Sequence, residues 1–403
     1  MSKPSKILWA QVTGLAAVQG AIALTWVIYN LYLIQLLTGL GFPEALGAVL
    51  LIIENGLAAV MEPLMGSLSD QTQRWVGSRF PQIALGVILA SVCFIGIPLA
   101  FWVGGQTFRI LLPAVAVLWA LSMTVFRSPA LSLLGRYAFE SKLPQAASLL
   151  TLVGGVTGAM APLAGEWILS LGPGITFLIG SGVLLGAALV LRQLNPAKSV
   201  RTSQVQQLGQ PSGQRVNWRR LLPNLVLIFG VGVGVALGLR LLLQFVPLQY
   251  GELGTAPGTT ALAIVFVTVA LTALPCGTLA TRLGNRPAMG LGLVGLAMAC
   301  GLLLTAGTAH QVLLLAVLVG VAFSLVSNGT LPFALSMVPA HKSGLGTGLY
   351  FSGGAVAMSL FGTVTQRLGT VPPGLGLSVA AIGFGLAGGC LALSASAASA
   401  AKS

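Results

Sequence analysis

Five ionisable side chains interrupt stretches of sequence that are otherwise apolar over membrane-spanning lengths: Glu54, Glu62, Glu166, Arg127 and Arg240. A charge at bilayer depth costs about 2.5–3.5 kcal/mol on insertion scales, so each must be paired, protonated or turned toward a watery chamber. Glu54 and Glu62 lie eight residues apart, which on a helix separates them by about 80° and about 12 Å. A carboxylate held away from water takes up a proton more readily, as a proton-coupling site requires. Glu62 is equally able to form a static ion pair with Arg127, at similar depth. Arginine grips carboxylates and phosphates bidentately, so Arg127 and Arg240 suit an organic anion, or they donate to sugar hydroxyls. Around them stand Tyr29, Asn30, Tyr32 and Gln35, then Trp119, Gln244 and Asn328, which offer hydrogen bonds and aromatic platforms for a small solute. Glu166 beside Trp167 reads as an interfacial anchor.

The elements that position these groups follow from composition. Apolar residues make up 56% of the chain and charged residues 7%, against roughly a quarter charged in soluble domains. Such a chain is a multi-pass membrane protein. A span needs about 20 apolar residues, and twelve such runs are present, from 8–37 through 44–69 to 373–395. The first run is too long for a signal-peptide core and is retained as a helix. With both termini in the cytoplasm, Arg109 and Arg367 face the other side and Arg127 and Arg240 lie within runs, leaving sixteen of the twenty Lys and Arg on the cytoplasmic side. That bias sets the orientation and accounts for the net charge of +13 without nucleic acid as a partner. The four cysteines all sit inside apolar runs and read as small fillers. A basic, Gln- and Ser-rich stretch, 193–220, reads as a linker. It divides the chain into 1–192 and 221–403. Short loops favour a plasma membrane, such as the inner membrane of a bacterium, with an organelle membrane as the alternative.

Between the second and third runs the chain reads Glu62-Pro63-Leu64-Met65-Gly66-Ser67-Leu68-Ser69-Asp70 and continues to Gly77, Arg79 and Pro81. The expectation is that the apolar run ends at Gly66 and a polar loop carries Asp70, Arg74 and Arg79. A shorter version recurs 211 positions later, from Gly277 to Pro287. Ser128-Pro129 is echoed by Leu331-Pro332, and Gly154-Gly155 by Gly353-Gly354, pairs that suit helix faces in sliding contact. Half-length self-similarity in a membrane chain marks a duplicated transporter.

On these residues the chain resembles the major facilitator superfamily. It is similar more narrowly to the glycoside–pentoside–hexuronide:cation symporters and sucrose transporters, through Glu62-Pro63, Gly66, Ser69-Asp70 and Gly77 to Pro81. The resemblance implies an all-α membrane protein of twelve transmembrane helices in two pseudo-symmetric six-helix bundles, working as a monomer among membrane lipid and without a cofactor. It implies a proton or sodium ion held by acids of the second helix, with Glu62 at a matching position and Glu54 as a second candidate. It places a sugar-like solute in a chamber lined by helices 1, 4, 7 and 10, and hence by Tyr29, Asn30, Gln35, Trp119, Arg127, Arg240, Gln244 and Asn328. It supports a gate in which Asp70 meets the start of the eleventh helix near Ser343-Gly344 and Arg79 reaches Glu140, with Gly66 and Gly77 shaping the turn. Two departures stand out. Thr281 replaces the second copy's Asp, making the gate one-sided, and the fourth run lacks the acid that sucrose-type carriers hold there. Two other readings stay open: an organic-anion carrier built on the two arginines, and a non-transporting factor that assembles or delivers pigments or lipids.

Two motif matches carry no chemistry. Gly290 to Gly295 spells a dinucleotide fingerprint, yet no strand precedes it. Asn328-Gly329-Thr330 spells a glycosylation acceptor inside an apolar run. With no phosphate-binding Gly-Lys-Ser/Thr loop, neither ATP-driven transport nor an enzyme activity is expected.

Overall fold

The computed structural model describes residues 7–104, 109–195, 218–253, 258–369 and 371–400. Of the expected linker, 193–220, residues 196–217 lie outside the described residues. Backbone polar groups in hydrocarbon must be satisfied within the segment, so apolar runs fold as helices. Among the described residues twelve long helices result: α1 (Trp9–Gly39), α2 (Ala45–Val76), α3 (Phe80–Gly104), α4 (Leu111–Leu131), α5 (Leu143–Ser170), α6 (Pro173–Gln193), α7 (Trp218–Leu253), α8 (Thr259–Leu283), α9 (Asn285–Thr305), α10 (Ala309–Ser336), α11 (Ser343–Leu368) and α12 (Pro373–Ala400). Eleven of them are long and apolar enough to cross a membrane among the described residues. The exception, α11, is long enough but rich in Gly, Ser and Thr, because it packs against α2 and α7 rather than facing lipid along its length.

Helix α2 extends further than its apolar run. Nothing in Gly66 to Val76 breaks a helix, so Asp70 and Arg74 belong to the helix and not to a loop. The turn begins only at Gly77, whose φ of 77° caps α2 in the left-handed conformation; there a Cβ would be strained.

Two apolar cores form, one for each half. The first gathers residues from Ile7 to Leu191 around Phe94, Trp119 and Phe177, and it also takes in Leu331 and Leu335 of α10. The second runs from Leu221 to Leu391 around Phe245, Phe333 and Phe384. Outward-facing Val60, Leu64, Val92, Leu163, Leu271 and Leu314 are exposed, as a lipid-facing surface requires.

The halves meet chiefly along two helix pairs, α2 with α11 and α5 with α8, with α10 also packing on α5 and α11 on α4. Small residues allow that approach. The absent side chain of Gly66 faces the Gly344 carbonyl, that of Gly348 faces the Glu62 carbonyl, and that of Gly155 lies 2.7 Å from the Ala270 nitrogen. Gly353, the sequence echo of Gly154-Gly155, instead admits Phe229 and Val233 of α7 within its own half. Ser359 donates to the Ile52 carbonyl at 3.1 Å and Ser352 to that of Ala59, adding polar ties across the seam.

Candidate functional site

A cavity of about 300 Å³ lies between the halves. Gln19 and Ala23 of α1 and Thr151, Gly154 and Gly155 of α5 form one wall. Phe266 of α8, Ser327 and Thr330 of α10, and Tyr350 and Phe351 of α11 form the other. The polar groups aimed into it are all neutral, and its rings come from α8, α10 and α11.

None of the eight residues expected to touch solute lines this cavity. Tyr29 is fully buried, its ring 4.5 Å from that of Trp119 and its hydroxyl donating to Glu54. Trp119 is buried in the first core, and Asn328 is committed to the Ala273 carbonyl at 2.8 Å. Asn30 turns its amide back onto the Trp26 carbonyl at 2.8 Å; it, Gln35 and Arg240 occupy exposed positions, and Gln244 is half-buried. The cause is helix rotation. Gln19 and Ala23 stack on one face, whereas Tyr29, six residues beyond Ala23, lies about 240° round the axis. The lining residues missed from sequence, Gln19, Thr151, Ser327, Thr330 and Tyr350, left one usable signal: Gln19, like Gln11, Asn30 and Gln35, is an amide within the first apolar run.

The two buried acids of α2 have different company. Glu62, fully buried, accepts from Arg127 Nε at 2.8 Å, is ion-paired to the same guanidinium, and takes the Ser128 hydroxyl on its other oxygen. The Arg127 guanidinium carbon in turn lies 4.5 Å from the centroid of Phe351, so one cavity-lining ring separates this pair from the chamber. Glu54 has a neutral partner, the Tyr29 hydroxyl, on one oxygen. Its other oxygen has no hydrogen-bond partner among the described residues. Glu166, exposed near the end of α5 beside the exposed Trp167, sits as an anchor would.

At the end of the molecule where α2 turns into α3, Asp70 is 2% exposed and crosses the seam. It accepts the Gly344 and Leu345 backbone N–H groups, each at 2.9 Å. Those groups open α11, where the helix dipole favours an anion. Arg79 donates to Asp70 and Ser132 and reaches Ser343 Oγ at 2.9 Å. The expected Arg79–Glu140 contact is not made: Arg79 is buried against Asp70, and Glu140 sits exposed in the turn Glu140–Lys142. Burial pushes the Arg79 guanidinium below its ordinary pKa, and the Asp70 charge opposes that shift. In the second copy the Thr281 hydroxyl bonds back to the Gly277 carbonyl at 2.9 Å within α8.

Because Gly66 admits the α11 backbone, Gly66→Val is expected to force α2 and α11 apart at this end. Spin labels at exposed Gln71 and Ala340, in a background cleared of native cysteines, should report a longer distance. An unchanged distance distribution would contradict the close-approach role.

Two helical bundles of membrane-spanning length, with a cavity between them, define a multi-pass membrane protein of the two-bundle class. The chain belongs to the Major Facilitator Superfamily, whose model matches residues 15–363, and members of that family are transporters. No curated protein matches it. A structure of the human organic anion transporter MFSD10 (TETRAN) is similar with a TM-score of 0.69 at 14% identity, covering 97% of this chain and 100% of that one. The proton:xylose symporter XylE bound to 6-bromo-6-deoxy-D-glucose is similar with a TM-score of 0.72 at 12% identity, covering 94% of each chain. At these identities the likeness is one of fold.

Proposed function

We propose that the protein is a secondary active transporter of a small, neutral, polar solute of sugar-like character, driven by a proton or sodium gradient across a plasma membrane. The carrying observation is the chamber between the halves, whose hydrogen-bonding groups are uncharged and interleaved with aromatic rings. That lining suits hydroxyls and a ring face; an organic anion would find no compensating charge on it. Its volume, about 300 Å³, sits at the lower limit for small-molecule sites and suits a monosaccharide-sized solute. The likeness of Glu62-Pro63 to Asp70 to the sucrose-type symporters points the same way. Glu54, with a neutral partner and one open oxygen, suits reversible uptake of the coupling proton; Glu62 serves to hold charge against Arg127. The moving bodies are residues 1–192 and 221–403, joined by 193–220, with the Asp70 end toward the cytoplasm.

Uptake of labelled monosaccharides and of carboxylates into proteoliposomes tests this reading. Gln19→Leu or Thr330→Val is expected to raise KM for a neutral solute about tenfold, the size of one lost hydrogen bond to solute. Accumulation of carboxylates alone would overturn it.

A further inference from the structure

Phe351 belongs to α11 and to the second half, yet it packs on the core of the first. Its ring borders the chamber. The same ring lies under the Arg127 guanidinium, whose Cζ is 4.5 Å from the ring centroid. Arg127 stands on α4, so this contact joins the two halves at the level of the chamber.

The surroundings hold both partners in place. Glu62 takes Arg127 by its edge, through Nε at 2.8 Å and an ion pair at Nη2. That leaves the flat face of the guanidinium for a ring, the geometry in which arginine stacks on aromatics. Glu62 is itself fully buried and fixed by the Ser128 hydroxyl. On the other side of the contact, α11 is docked next to the ring. Gly348, three residues earlier, meets the Glu62 carbonyl, and Ser352, the next residue, donates to the Ala59 carbonyl. Those anchor points lie on α2, in the first half, so the ring sits over Arg127 only while the seam is closed.

We propose that Phe351 is a positioning residue whose cation–π contact with Arg127 fastens α11 to α4 across the seam and breaks whenever the halves part there. Leucine, equally apolar, would fill the same wall but could not hold the guanidinium. The contact turns the Glu62–Arg127 pair, internal to the first half, into part of the interface between halves. The Arg127 side chain is 20% exposed, so the contact is largely desolvated and stronger than one at an open surface. Its loss is expected to make opening of the seam about tenfold more frequent. The fastening role does not depend on what occupies the chamber; only the solute arm of the test rests on the transport reading.

The test measures alkylation of a Ser352→Cys thiol by a water-soluble maleimide, in the purified full chain with its native cysteines replaced. Ser352 is 3% exposed and bonded across the seam, so the thiol reacts when the halves part and its rate follows the open fraction. Phe351→Leu is expected to raise that rate about tenfold. Phenylalanine carrying one, two or three ring fluorines at position 351 stays apolar and nearly the same shape, but its negative face weakens stepwise. The rate should climb with each fluorine. In the Glu62→Gln/Arg127→Gln double variant the fluorines should change nothing, because no cation remains. The fluorinated chains decide the matter if Phe351→Leu does not fold. Equal rates along the fluorine series overturn the proposal. In proteoliposomes, a ring that serves only as a wall for solute would raise KM for a neutral solute and leave alkylation unchanged, and that pattern overturns it too. A graded series in a protein that takes up no monosaccharide supports the fastening role and counts against the transport reading alone.

Discussion

Glu62→Gln is expected to be among the most destabilising single changes in the chain, at about 3–5 kcal/mol, the cost of leaving one partner of a buried ion pair without the other. Glu62 is fully buried and the Arg127 side chain is 20% exposed, so water compensates little. Arg127→Gln should cost a similar amount for the same reason. The double variant places two neutral amides together and should recover much of the loss, a positive coupling in the sense of a double-mutant cycle. Glu54→Gln should behave differently. Its partner is the neutral Tyr29 hydroxyl, so no charge is orphaned and stability should change by about 1 kcal/mol or less. What it should lose is gradient-driven accumulation, while exchange across the membrane without a gradient persists. Unfolding in mixed micelles together with proteoliposome uptake separates these outcomes. If Glu54→Gln still accumulates solute and the Glu62→Gln/Arg127→Gln double variant does not, the coupling role belongs to Glu62 and the present assignment is wrong.

Asp70→Ala is the second large effect, and it acts on conformation more than on folding. In the closed arrangement this carboxylate satisfies two N–H groups at the start of α11 and neutralises the buried Arg79. Removing it orphans all three, a penalty of about 3–5 kcal/mol. Water reaches those groups once the halves separate, so the penalty falls chiefly on the closed state. A shift of that size moves a two-state equilibrium by more than about a hundredfold. Labels at Gln71 and Ala340 should then show the open distance as the main population. Asp70→Asn retains an acceptor for one N–H but no charge, and should fall between. A distribution that stays closed in Asp70→Ala would show that the α2–α11 packing alone holds this end.

Much of this protein is legible in its residues because the signals are local. Hydrophobic length sets where each helix lies, and helix lengths follow from what can break them; the polar residues after Gly66 do not break a helix, and the actual stop is Gly77. The half-length echo from Gly66 to Gly277 reflects duplication and needs no coordinates. The meeting of Asp70 with the start of α11 was also foreseeable, since an acid at one helix end and bare N–H groups at another attract wherever the chain brings them together.

What remained hidden was rotation. A residue's depth in the membrane follows from counting, but its bearing around the helix axis depends on which neighbours pack against it. Tyr29 and Gln19 belong to the same helix, yet one is sealed against Trp119 and Glu54 and the other opens onto the chamber. That choice is made by contacts such as Gly20 against Val153 and Gly155 against Ala270, between residues more than a hundred positions apart. The partner of Arg79 was decided the same way: burial beside Asp70 prevailed over the nearer-looking but solvated Glu140. From its sequence alone this chain is a duplicated, twelve-helix membrane protein with a few costly charges. Only the tertiary structure decides which of them face each other, because side-chain bearing is set by long-range packing and no local pattern encodes it.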